Sequence, residues 1–114
     1  MTYIVSKSDR IEGAGLRKPG VARQLAAGDS SVNTALTVGC QRISVLAVTA
    51  DIRYSLGTAA QTASASTSHF IKAGERLELD VPQHVDSDGT LLASNIAVIR
   101  DDSTSGVLEV TEFI

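Results

Sequence analysis

There is no tryptophan in this 114-residue chain, and Tyr and Phe occur only twice each. That scarcity argues against a sugar-binding site, which stacks its ligand on an aromatic platform. It also means that a core must come from Val, Ile and Leu, with Tyr3, Tyr54, Phe70 and Phe113 as its only large rings. Cysteine occurs once, at Cys40, so no intrachain disulfide forms and nothing marks an oxidising compartment. Cys40 opens the most apolar segment and reads as a small buried residue rather than a thiol nucleophile. No stretch approaches the roughly 20 apolar residues of a membrane span. The N-terminus lacks the basic-then-apolar layout of a signal peptide, so the expectation is a protein made in the cytoplasm, with no membrane partner.

Catalytic and metal-binding patterns are missing as well. His69 and His84 are the only histidines, and neither sits in a ligand spacing such as HExxH. No Gly-x-Ser-x-Gly elbow occurs, and Gly13-Ala14-Gly15 lacks the strand, helix and third glycine of a dinucleotide fingerprint. Asp86-Ser87-Asp88-Gly89 opens like a calcium loop, but its twelfth position is Ala97, where a bidentate Glu is required. Asp101-Asp102 is a pair of acids in a turn. The expectation is a chain that is not an enzyme, with no catalytic residues, no cofactor and no metal.

The formal net charge is −3 and is unevenly placed. Residues 1–36 hold five basic and three acidic side chains, a net of +2, whereas residues 37–114 hold five and ten, a net of −5. The basic residues are too dispersed for a nucleic-acid arm, which clusters Lys and Arg.

What is present is strand signal. From Arg42 to Leu56 the chain reads RISVLAVTADIRYSL, without Gly or Pro, and Leu46, Val48, Ala50, Ile52, Tyr54 and Leu56 fall on alternate positions. Such a period predicts one long central strand, covered on both faces early, where Ile43, Val45 and Ala47 are apolar too. Further strands are predicted over His69–Lys72, Arg76–Val81, Asn95–Arg100 and Val107–Ile114, with a short one over Met1–Val5. Gly57–Ser68 (GTAAQTASASTS) reads as a surface loop, Gln83–Ser94 as a second, and Asp101–Gly106 as a hairpin loop. The expected core is Leu46, Val48, Ile52, Leu77, Leu79, Val81, Ile96, Val98, Leu108 and Val110. Strands at this spacing without a strong helix predict an all-β fold, an antiparallel β-sandwich or jelly-roll-like barrel.

The first 36 residues follow no period beyond Met1–Val5, though Val21–Ala27 could make two helical turns. They are expected to form an extended, irregular N-terminal arm, with the sandwich domain over residues 37–114. Leu16, Val21, Leu25, Val32 and Leu36 are too many apolar side chains for a linker, so the arm is expected to lie on a neighbouring subunit. Those five residues are the expected partner contacts, together with Gln61 in the small-residue loop.

Residues 42–114 resemble a class of small virion proteins of tailed bacteriophages. The residues that carry the resemblance are Tyr54-Ser55-Leu56-Gly57, the small-residue loop, Phe70, Gly74-Glu75, Ile96 to Asp101, and Gly106 to Glu112. The N-terminal arm and the insertion Gln83–Ser94 fall outside it. The resemblance implies a capsid decoration, or cement, protein on the outer surface of the head. Its implied partners are the major capsid protein and copies of itself, as a homotrimer. A neck or tail component is the alternative within the virion, and a host-surface glycan-binding module the alternative outside that class.

Overall fold

In the computed structural model, which describes residues 18–113, ten strands follow one another: β1 Pro19–Ala27, β2 Val32–Ala35, β3 Arg42–Val48, β4 Ile52–Gly57, β5 His69–Ile71, β6 Arg76–Asp80, β7 His84–Val85, β8 Leu91–Leu92, β9 Asn95–Arg100 and β10 Gly106–Phe113. Eight of them build two four-stranded sheets, ordered β1-β10-β3-β6 and β2-β9-β4-β5, and every pairing is antiparallel. Within these sheets the chain changes sheet at every connection except β4 to β5. That alternation makes a jelly roll, with one core between the sheets. The remaining strands, β7 and β8, pair only with each other. The fold is therefore all-β, and among the described residues no helix is long and apolar enough to cross a membrane.

The inward positions of the first sheet are Leu25 and Ala27 on β1, Leu108 and Val110 on β10, and Ile43, Val45 and Ala47 on β3, with Leu77 and Leu79 of β6 partly buried against them. The second sheet contributes Ile52 and Tyr54, Ile71, Ile96 and Val98. Fully burying each large aliphatic contributes about 1.5–3 kcal/mol.

Arg42–Leu56 is two strands rather than one. β3 ends at Val48, the chain turns through Thr49, Ala50 and Asp51, and β4 begins at Ile52 in the other sheet. Odd positions face the core before this corner and even positions after it. Leu46 and Val48, expected inside, lie instead on the outer face of the first sheet, half-buried. Thr49 has φ 79°, an uncommon conformation for a β-branched residue, and this marks the corner. A similar corner replaces the expected hairpin at Asp101–Gly106, which joins β9 and β10 across the sandwich, and residues 72–75 likewise carry the chain from β5 to β6 in the other sheet. Gly106 is needed at its corner because a Cβ there would lie 2.6 Å from the Val48 carbonyl oxygen.

The expected arm is corrected over residues 18–36. Residues 1–17, with Leu16 and the expected Met1–Val5 strand, lie outside the described residues. Val21–Ala27 is part of β1 rather than two helical turns, in register with β10 from Ala22↔Thr111 to Ala27↔Gly106. Leu25, Ala27 and Leu36 are core residues. The physical reason is that an isolated seven-residue helix is marginal, whereas a strand here gains a backbone ladder and buries Leu25.

Two outcomes test this account of the fold. In urea unfolding, Ile43→Ala should cost about 2–4 kcal/mol and Val48→Ala about 1 kcal/mol or less; a larger cost at Val48 would reverse the face assignment. Deleting residues 1–36, which removes β1 and β2, should abolish cooperative unfolding; a truncated chain that still unfolds cooperatively would show that these strands are dispensable.

Candidate interaction surface

The loop after β4 does not hang free. Ala97 of β9 points away from the core, yet it is fully buried, between Asn33 on one side and Ser55 on the other. Both neighbours bind Gln61: the Gln61 amide donates to Asn33 Oδ1 at 2.8 Å, and Ser55 Oγ donates to Gln61 Oε1 at 2.6 Å. Further along, the Ala63 amide donates to Ser31 Oγ at 2.8 Å, and Ala63 is buried. The loop thus lies flat on the outer face of the second sheet. Small residues let it approach, and hydroxyl and amide groups satisfy its backbone. Gly57 belongs to the same contact, since a Cβ there would sit 2.5 Å from Gln61 Nε2.

Arg53 fastens the loop's far end. Its Nε donates to Asp101 Oδ1 at 2.8 Å and its Nη1 to the Ser68 carbonyl at 2.9 Å. The guanidinium lies 5.1 Å from the centroid of Phe70, a cation–π distance. Phe70 is exposed, but this contact occupies one side of its ring. On the opposite, core-facing side of the same strands, Tyr54 pairs with His69, with ring centroids 5.3 Å apart.

A second polar node lies at the core edge of the first sheet. Glu112 of β10 is fully buried. Its Oε2 accepts from Arg23 Nε of β1 at 2.8 Å and from the Thr37 amide at 3.0 Å. Among the described residues its Oε1 has no partner. Burial pushes the carboxyl's pKa up, but the hydrogen bonds from Thr37 and the Arg23 guanidinium outweigh it and hold the group below its usual value. Cys40 nearby is buried, and burial followed by the Glu112 charge raises its thiol, in keeping with an inert core residue.

The other side chains singled out from the sequence are not brought together. Asp86 Oδ1 accepts from the amides of Asp88 and Thr90, closing the β7–β8 turn in which Gly89 has φ 81°. His84 Nε2 contacts the Ala93 carbonyl at 2.9 Å. Among the described residues, no three His, Cys, Asp or Glu side chains are grouped to hold a metal ion. An open cleft of about 180 Å³ is lined by Thr49, Ala50, Asp51, Ala73, Asp102 and Thr104. Asp51 and Asp102 already accept backbone amides there, from Ala73 and Thr104.

The expected partner contacts separate into three kinds. Leu25 and Leu36 are core residues and have no surface to offer. Gln61 is engaged within the loop. Val21 and Val32 are exposed, at 44% and 41%. The two most exposed aliphatics sit elsewhere, Val38 at 53% and Val85 at 56%, and Leu91 and Leu92 are exposed as well. Val85 and Leu91 are opposite each other across the β7–β8 hairpin, and Gly39 packs against Leu91. This brings the Val38 loop beside the same hairpin face. Sequence reading treated Gln83–Ser94 as a plain loop; the available signal was the Leu91-Leu92 pair inside a polar stretch.

The Glu112 node makes a pH prediction. A carboxyl held below its unfolded pKa stabilises the fold above that value, and the contribution is lost as pH falls through the folded pKa. Stability should therefore decline below about pH 4.3, the usual glutamate value. Glu112→Gln should cost about 2–3 kcal/mol at pH 7, below the range for fully buried pairs because the Arg23 side chain is 26% exposed. The variant's disadvantage should shrink in acid. Unfolding curves from pH 3 to 7 check this, and a pH-independent difference between the two proteins would contradict it.

No family model matches this chain, and no curated protein matches it. Among solved structures, the crystal structure of PirA is similar over 80% of this chain and 92% of its own, with a TM-score of 0.52 and 12% sequence identity. At that identity the likeness is one of fold alone.

Proposed function

We propose that this chain is a non-enzymatic structural protein of a tailed-phage virion, a decoration protein that docks on the outer surface of the head and clamps major capsid protein. The phage context comes from the sequence resemblance, whose residues have clear work in the fold. Ser55 and Gly57 seat the small-residue loop through Gln61. Gly74, at φ 84°, makes the turn before β6. Ile96 to Asp101 and Gly106 to Glu112 are the central strands of the two sheets and the corner between them.

The observation that carries the docking role is the β7–β8 hairpin. It stands outside both sheets and exposes Val85 and Leu91 beside Val38. A two-stranded hairpin alone is marginal in water. This one is held by the Asp86 turn, by His84 on Ala93, and by Gln83 Nε2 donating to the Cys40 carbonyl at 2.6 Å. A pre-ordered hairpin with aliphatic side chains outward suits insertion into an apolar socket, because little ordering entropy remains to be lost on binding.

The experiment mixes undecorated heads with full-length protein and measures occupancy. The Val85→Ser/Leu91→Ser double variant should bind about tenfold or more weaker than the parent, as expected from losing two interface anchors at about 1 kcal/mol or more each. Its unfolding midpoint should stay near that of the parent. Equal occupancy would remove the hairpin as the anchor. Failure of the parent protein to bind heads would overturn the decoration role.

A further inference from the structure

The two sheets have four edges, and three are guarded. β2 and β5 are only four and three residues long. β6 turns Arg76, Glu78 and Asp80 outward along its five residues. Short strands and charged side chains are the usual defences against edge-to-edge pairing. β1 differs. It has nine residues, and among the described residues no strand lies beyond it. Pro19 and an irregularity before Ala22 guard its start. From Ala22 to Ala27 it runs in unbroken register, without Pro, and its one charge, Arg23, is turned inward to Glu112.

We propose that the Ala22–Ala27 edge pairs with the same edge of a second copy, antiparallel about a twofold axis, so that two four-stranded sheets become one of eight. The second copy is the occupant because, of the edges it offers in return, only β1 is equally open. The side chains fit that symmetry. A register centred on Gln24 sets Ala22 opposite the partner copy's Ala26, Gln24 opposite Gln24, and Arg23 opposite Leu25. No like charges face each other, and the exposed outward residues Ala22, Gln24 and Ala26 are small or neutral. Residues that turn their amides toward the edge are of one parity, and this register sets like parity against like, so the ladder hydrogen bonds can close. The pairing is independent of the decoration role, and it gives a dimer where the phage resemblance implies a trimer.

The test measures the mass of the full chain in solution across a concentration range by sedimentation equilibrium. The parent should dimerise. Ala22→Lys/Ala26→Lys places two pairs of like charges across the axis and should weaken dimerisation more than tenfold, with an unchanged unfolding midpoint. Ala22→Glu/Ala26→Glu alone should be weakened likewise. An equimolar mixture of the two variants should recover association as a heterodimer, which a loss of folding in either variant could not produce. A parent that stays monomeric or forms trimers would overturn the proposal. So would a lysine variant that associates like the parent, or a mixture that stays monomeric.

Discussion

The structure depends on the corner between Val48 and Ile52. There the chain leaves one sheet, enters the other and exchanges the parity of its inward side chains. A strand that ran straight through would carry Ile52 and Tyr54 to the outer face of the first sheet, and the second sheet would lose its central strand. Three other segments hold the corner in place. Gly74 donates its amide to the Ala47 carbonyl at 2.8 Å, Asp101 donates to the Asp51 carbonyl at 3.1 Å, and Asp51 Oδ1 accepts from the Ala73 amide. Gly106 closes against the Val48 carbonyl and Ala50. The left-handed backbone at Thr49 costs on the order of 1 kcal/mol or more. Contacts from these separate parts of the chain offset it, and together they place β5, β6, β9 and β10 around the corner.

Polar side chains in this fold act mainly as fasteners between segments far apart in sequence. Glu112 joins β10 to β1 and to the connection before β3, and Arg53 joins β4 to the small-residue loop and the Asp101 turn. Both nodes bring an Arg to a carboxylate at 2.8 Å. The two differ in exposure. The Asp101 side chain keeps 25% exposure and can be hydrated, whereas Glu112 keeps none. The buried node therefore stabilises only while its charge is matched, and that makes it the more sensitive of the two to protonation.

Much of the fold was legible in the residues. Alternation in RLELD and VLEVTEF placed β6 and β10, and the apolar run NIAVIR placed β9. The corner was not identified, although its trace was present: apolar residues on odd positions to Ala47 and on even positions from Ala50. That is the pattern of a strand that changes sheet, and it is also the pattern of a strand covered on both faces. Local sequence cannot separate the two, because the difference lies in which strands pair alongside. β1 was missed for a related reason. Val-Ala-Arg-Gln-Leu-Ala-Ala has good helix formers, and only the ladder to β10 makes it a strand. Leu25 and Leu36 read as partner contacts because the residues they meet, Leu108 for Leu25 and Ser94 for Leu36, lie more than fifty residues away.

Once β1 and β2 are assigned to the body, the contact surface moves. An arm that orders only on binding loses conformational entropy at that moment. A jelly roll whose first strands are already packed loses little there, and its remaining apolar exposure is concentrated on a fixed hairpin and on a few edge positions. The small-residue loop follows the same logic. Gln61 and the Ser64 and Ser68 hydroxyls are engaged within the chain, so that part of the loop thickens the second sheet. Among the described residues, the surface open to recognition includes the aliphatic tip at Val38, Val85 and Leu91 and the backbone edge of β1. Surfaces of that kind recognise another protein, through apolar insertion or strand addition, better than they recognise a small polar ligand.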